Sequence, residues 1–147
     1  MNHISRTLIV ASIMVIAALQ LAACSDTSST AAGDEAPATV EPIKGTDRSS
    51  VKLSAKAAER LGIETAAIRR SASGEKTIPY DAVQYDADGK TFAYTSPARL
   101  VFVRRSITVK RIDGNLALLS GGPPAGTEVV TVGSQELYGS EYEVEED

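Results

Sequence analysis

The chain has one thiol, Cys24, and it closes the run Leu21-Ala22-Ala23-Cys24. Small residues before a cysteine at the end of an apolar stretch form a lipobox. A signal peptidase cuts before such a cysteine, and its sulfur and new amino group are then acylated. Arg6 makes the front of the leader positive, and residues 8–19 are apolar except for Ser12. That run is about a dozen residues, well short of the roughly 20 a spanning helix needs. Residues 1–23 therefore read as a lipoprotein signal peptide, with Leu21, Ala22 and Ala23 as the lipobox and Cys24 as the lipidated residue. Each buried acyl methylene contributes about 0.8 kcal/mol, so two or three chains hold a protein firmly at a bilayer. The expected location is the extracytoplasmic face of a bacterial envelope membrane, the periplasm if there are two membranes.

Cleavage removes 23 of the 147 residues and leaves about 124, enough for one small domain and a tail. His3, Met1 and Met14 leave with the leader, and the chain has no Trp. A mature chain without His or free thiol has no Ser-His-Asp or Cys-His nucleophile system. Zinc sites built on His or Cys, and soft-metal sites built on Met or Cys, are excluded too. Loss of Arg6 makes the formal charge of −4 more negative by one, which argues against nucleic acid. What remains is carboxylate chemistry, hard-cation binding or a non-enzymatic role; the reading is non-enzymatic, with no cofactor and no metal.

Four further groups of residues invite chemistry. Asp86, Asp88 and Gly89 suggest a calcium loop, but placing Gly89 at the sixth position puts Gln84 first and Thr95 twelfth, and the ligand pattern fails. Asp81 and Asp113 are the nearest approach to a carboxylate pair, with nothing to fix their separation. Gly121-Gly122-Pro123-Pro124-Ala125-Gly126 is glycine-rich, yet no helix and no Lys-Ser/Thr pair follows it, so it is not a phosphate loop. Tyr80, Tyr85, Tyr94, Tyr138 and Tyr142 suit cross-strand packing better than a stacking platform.

Arg104, Arg105, Lys110 and Arg111 remain. Alternation along a strand sends neighbours to opposite faces, so at most one of the two arginines points inward without a bulge. One reading makes these four a basic stripe contacting lipid headgroups or an acidic partner. The other makes them a solvated strand edge guarded by charge.

The elements that must position these residues follow from pattern. Residues 24–50, rich in Ser, Thr, Ala, Asp, Glu and Pro, read as the lipidated cysteine and a disordered linker. About 26 such residues have a coil dimension of about 28 Å and extend to about 90 Å. Residues 40–45 are the one part of it suited to docking on the domain. Ser54 is a plausible N-cap for a short helix over about 54–61, which Gly62 stops. Strands are expected at 51–53, 63–68, 78–85, 91–95, 100–109 with an interruption at Arg104-Arg105-Ser106, 116–119 and 129–132. Turn signals at Asp86-Ala87-Asp88-Gly89 and Asp113-Gly114-Asn115 separate them. The expected fold is mainly β: a small antiparallel roll or barrel-like domain over 51–142 with one short α-helix. Beyond Gly139 the chain is expected to fray, with 143–147 an acidic tail.

Several of these segments resemble one known domain. Leu53-Ser54, Ala58 and Leu61-Gly62-Ile63-Glu64-Thr65 resemble the opening of the membrane-proximal domain of periplasmic adaptor subunits (membrane fusion proteins) of RND-type efflux pumps. Ile78-Pro79-Tyr80-Asp81-Ala82-Val83 resembles the start of that domain's second half. Val101-Phe102-Val103-Arg104 with Ile107-Thr108-Val109, and then Gly126-Thr127-Glu128-Val129-Val130-Thr131-Val132-Gly133, resembles its closing strands. In that family the domain is built from both chain ends, with a barrel, a lipoyl domain and a helical hairpin inserted between them. Here the insertion point falls at 71–75 and those parts are missing. The resemblance implies a lipid-anchored interaction module, an accessory or truncated adaptor component whose partner is an RND transporter or a full-length adaptor. The alternative is a free-standing envelope lipoprotein that binds a small ligand or cation.

Overall fold

A computed structural model describes residues 36–46 and 48–143 of the chain. The expected leader and lipobox, Cys24 and the last four residues lie outside the described residues. No helix among the described residues is long and apolar enough to cross a membrane.

The fold is mainly β, with antiparallel sheets and, among the described residues, two α-helices. The strands are β1 (Ala38–Pro42), β2 (Ser49–Leu53), β3 (Glu64–Ala67), β4 (Arg69–Arg70), β5 (Lys76–Pro79), β6 (Gln84–Tyr85), β7 (Thr91–Ala98), β8 (Val101–Ser106), β9 (Thr108–Asp113), β10 (Leu116–Gly121) and β11 (Glu128–Val132). The helices are α1 (Ala55–Leu61) and α2 (Ser134–Glu143). The larger sheet runs β1-β2-β8-β7-β11-β3, with β6 also paired to β7; the smaller runs β4-β5-β10-β9. Neither sheet closes into a barrel.

The larger sheet is the middle layer. One of its faces joins α1 and α2 around Val51, Leu53, Ala57, Phe92, Tyr94, Phe102, Val130 and Leu137. A second cluster, Ile68, Ile78, Ala93, Ile107, Ala117, Leu119 and Val129 among others, fills the space against the smaller sheet. Strand alternation explains how one strand serves both cores. On β7, Phe92 and Tyr94 join the helical side while Ala93 joins the other, and all three are buried.

Helix α1 forms as its sequence directs. The Ser54 hydroxyl accepts a hydrogen bond from the Ala57 amide at 3.1 Å, which caps the first turn. Gly62 stands in the left-handed region at φ 62°, and its N–H and that of Ile63 return to the carbonyls of Glu59 and Ala58. The turn signals also stand: Asp86 Oδ1 accepts the amides of Asp88 (3.0 Å) and Lys90 (2.8 Å), closing the β6–β7 connection.

Four expectations are corrected. The linker expected over 24–50 ends early, because residues 38–42 form β1 on the edge of the larger sheet, with Val40 opposite Val51 and Ala38 opposite Leu53. The stretch 78–85 is not one strand. Pro79, which has no N–H to donate, ends β5, and a 3-10 turn at Tyr80–Ala82 carries the chain from the smaller sheet to the larger. Residues 100–109 do not break at the arginines: β8 runs through them to Ser106, and the buried Ile107 is the crossing point into β9. The chain expected to fray beyond Gly139 is helical through Glu143, so the described residues hold two α-helices rather than one. Leu137 is fully buried beneath that second helix, which makes α2 part of the core.

Replacing Leu137 with Ala removes the aliphatic anchor of α2 and leaves a cavity. We expect Leu137→Ala to lower the unfolding free energy by about 2–5 kcal/mol in urea denaturation. A frayed terminal segment would show no change.

Candidate functional site

The four basic residues separate into three environments. On β8, Arg104 pairs opposite Tyr94 and turns its side chain under α2, while Arg105 points to solvent, as alternation requires. Lys110 and Arg111 lie on β9, the edge strand of the smaller sheet. The register passes from Leu118↔Arg111 to Leu119↔Val109, so Lys110 is the extra residue of a bulge. That bulge brings two sequence neighbours to one carboxylate: Glu75 accepts from Lys110 at 2.7 Å and pairs with Arg111 at 3.6 Å. The Lys110 hydrogen bond and then the Ser73 hydroxyl hold the Glu75 carboxyl below its usual range. Its contribution to stability is therefore present above the ordinary glutamate value and lost as pH falls through the folded one. Charges on an edge strand also discourage addition of a further strand. The four residues thus form no single stripe.

Arg104 is the centre of a denser arrangement. Glu141 on α2 is only 3 % exposed, and its carboxylate takes two partners from the sheet. The buried Tyr94 hydroxyl donates to Oε2 at 2.5 Å, and Arg104 Nη2 lies 3.4 Å from Oε1. Arg104 Nη1 donates to the Tyr142 hydroxyl at 2.9 Å. The guanidinium also lies over the rings of Phe92 and Tyr142, 5.5 and 5.6 Å from their centroids. Phe92 meets Tyr94 edge-on and stacks with Tyr138, which in turn touches Tyr142. Burial acts against the Arg104 charge, but the Tyr142 hydrogen bond and the Glu141 carboxylate outweigh it and raise its pKa. Burial, followed by the bond to Glu141, pushes the Tyr94 hydroxyl far above the usual tyrosine value.

Beside this network a polar cleft of about 370 Å³ opens at the sheet surface. Arg48, Asp86, Lys90, Phe92, Arg104 and Ser106 line it. The β7–β8 register explains the grouping, since Phe92 sits opposite Ser106 and Tyr94 opposite Arg104. Strand β2 runs alongside β8, with Ser50 opposite Val103, which brings Arg48 towards Arg104. Nothing in the spacing of residues 48, 86, 90 and 104 announces this convergence; only the strand order supplies it.

The other sequence candidates take structural places. Asp88 pairs with Lys90 at 3.0 Å within the turn. No cluster of three or more His, Cys, Asp or Glu among the described residues is arranged to hold a metal. Asp81 lies in the 3-10 turn and Asp113 at the end of β9, with no hydrogen bond between them. The glycine-rich loop turns its carbonyls inward, and Lys76 Nζ donates to Gly122 O (2.7 Å) and Pro123 O (3.0 Å). Of the tyrosines, 94, 138 and 142 belong to the Arg104 cluster, whereas Tyr80 and Tyr85 are exposed. Set against known proteins, the chain matches no family model, no curated protein and no solved structure.

The Tyr94–Glu141 bond gives a pH-dependent expectation. A raised folded pKa stabilises the fold fully below the unfolded value, about pH 10, and that contribution is lost as pH rises above it. The slope from one such residue approaches about 1.4 kcal/mol per pH unit. Tyr94→Phe should cost about 1–2 kcal/mol at neutral pH and flatten the decline of stability between about pH 10 and 11. Parallel alkaline declines for the two proteins in urea titrations would contradict the assignment.

Proposed function

We propose that this chain is a lipid-anchored extracytoplasmic interaction module without catalytic activity, serving as an accessory or truncated adaptor component of an RND-type efflux system. The observation that supports this reading best is how the two halves of the domain interleave around residues 71–75. Strands from before that point pair with strands from after it in both sheets: β2 with β8, β3 with β11 and β4 with β5. The point itself is a tight turn, in which the Ser71 amide donates to Glu75 O at 2.8 Å and Arg70 Nη1 donates to Gly74 O at 2.9 Å. A domain assembled from two chain ends, with its inserted parts replaced by a turn, would be connected in this way. On this reading Arg104 belongs to the architecture. Arg105, Lys110 and Arg111 are the basic residues left to meet headgroups or an acidic partner.

The alternative, a free-standing lipoprotein that binds a small ligand, draws on a separate observation: the polar cleft beside Arg104. Its predominantly basic lining favours an anion over the cation that carboxylate chemistry alone would suggest.

Photo-crosslinkers at Arg105 and Arg111 in the intact anchored protein, followed by mass spectrometry from whole cells, test the first reading. Capture of an RND pump or a longer adaptor is the expected result; capture of lipid and unrelated abundant proteins alone would reject it. In the same cells Cys24→Ser should release the protein from the membrane fraction. Retention of that variant would remove the anchor from the account.

A further inference from the structure

We infer that the cleft between β2, β7 and β8 binds a phosphate group carried by a small polar molecule or a lipid headgroup. This inference rests on the cleft alone and stands whether or not the chain serves an efflux system.

Charge points first to an anion. The protein as a whole is acidic, with a sequence pI near 5.1, yet among the described residues this recess is lined by Arg48, Lys90 and Arg104 and by one carboxylate, Asp86. That carboxylate is partly occupied, because its Oδ1 already accepts the amides of Asp88 and Lys90. Lys90 Nζ reaches Asp88, whose carboxylate stands outside the lining. Arg104 likewise has its carboxylate partner, Glu141, outside the lining. Arg48 is therefore the cation of the recess that pairs with no carboxylate among the described residues, and a concave low-dielectric wall strengthens its field on an anion.

The donors point next to a phosphate. Two of the three cations are arginines, whose planar forks match phosphate oxygens, and the lysine adds a compact point charge. Arg104 is held in position by Glu141 and Tyr142, which reduces the rotamer freedom it has to lose on binding. Arg48 is half-buried, and among the described residues its guanidinium makes no hydrogen bond or ion pair. A half-buried cation that pairs with none of the described residues gains a charge-assisted hydrogen bond from a ligand that supplies the partner. Ser106 adds a hydroxyl on the same wall.

Size and floor then set the rest of the ligand. At about 370 Å³ the cleft lies at the lower end of small-molecule sites and exceeds what a bare phosphate fills. The volume beyond a phosphate admits a short carbon arm, and Asp86 accepts from a hydroxyl or amine on it. A phosphorylated polyol or a phosphoglycerol headgroup has this chemistry.

Amide spectra of the full chain in neutral detergent, titrated with glycerol 3-phosphate, test the site. The expected result is saturable shifts at residues 48, 90–92 and 106. Arg48→Gln and Lys90→Gln should each weaken the apparent affinity about tenfold, the effect of one lost charge-assisted hydrogen bond. Lys56→Gln, on α1 and away from the cleft, should leave it unchanged. A parallel arm compares the chain on phosphatidylglycerol and phosphatidylcholine nanodiscs without added solute. The same shifts on phosphatidylglycerol alone assign the phosphate to a headgroup; shifts with the soluble ester alone assign it to a small molecule. Shifts spread evenly over all basic residues, or absent from the cleft in both arms, would overturn the inference. If Arg48→Gln fails to fold, Lys90→Gln carries the test.

Discussion

A carboxylate with almost no access to water constrains the arrangement of this molecule more than any other group. Glu141 sits between α2 and the larger sheet, where an unpaired charge would be very costly. It is tolerated because a tyrosine hydroxyl and a guanidinium reach it from adjacent strands, β7 and β8. Both donors are themselves enclosed by aromatic rings, so the network and its apolar surroundings form together. Replacing such a network by well-packed apolar residues is often neutral or stabilising, and its value lies in geometry more than in net energy. The observed seating of α2 satisfies Tyr94, Arg104 and Glu141 at once. That seating covers Phe92 and Val130, turns Arg104 sideways and leaves one wall of the polar cleft fixed.

Legibility in the sequence followed locality. Helix α1 could be read from Ser54, the alanines and Gly62 because its capping bonds each span five residues or fewer. The turns at Asp86–Gly89 and around Gly114 were legible for the same reason. Helix α2 was not. Its core-facing positions include Leu137, Tyr138 and Glu141, and a glutamate in that pattern reads as solvent-facing unless its partners, 37 and 47 residues away, are known. Gly139 weakens the helical signal further. Strand β1 was hidden by composition: Ala38, Thr39, Glu41 and Pro42 resemble linker, and only pairing with β2 makes them a strand. Of the four basic residues singled out, alternation separated Arg104 from Arg105, but the bulge at Lys110 has no signature in the sequence.

The early start of the fold also changes the relation between the domain and the anchor proposed at Cys24. With Ala38 already in the sheet, about 14 residues separate it from Cys24, which at full extension span about 50 Å. A linker reaching residue 50 would have allowed about 90 Å. On the proposed reading the domain is held close to the bilayer. There a short reach raises the effective concentration of headgroups and of membrane-embedded partners around it. Exposed Arg105, the edge strand β9 and the phosphate-type cleft are the surfaces it presents at that distance.

Hydrogen exchange of the α2 amides tests the central claim most directly, because it reports whether Glu141 is enclosed in solution. If the Tyr94–Glu141–Arg104 network fixes α2, amides near Leu137 and Glu141 should exchange only with the slowest class, alongside β7 and β8. In Glu141→Gln that protection should fall while β10 and β11 retain theirs. Rapid exchange of α2 in the unaltered protein, at rates typical of a fraying terminus, would contradict the account.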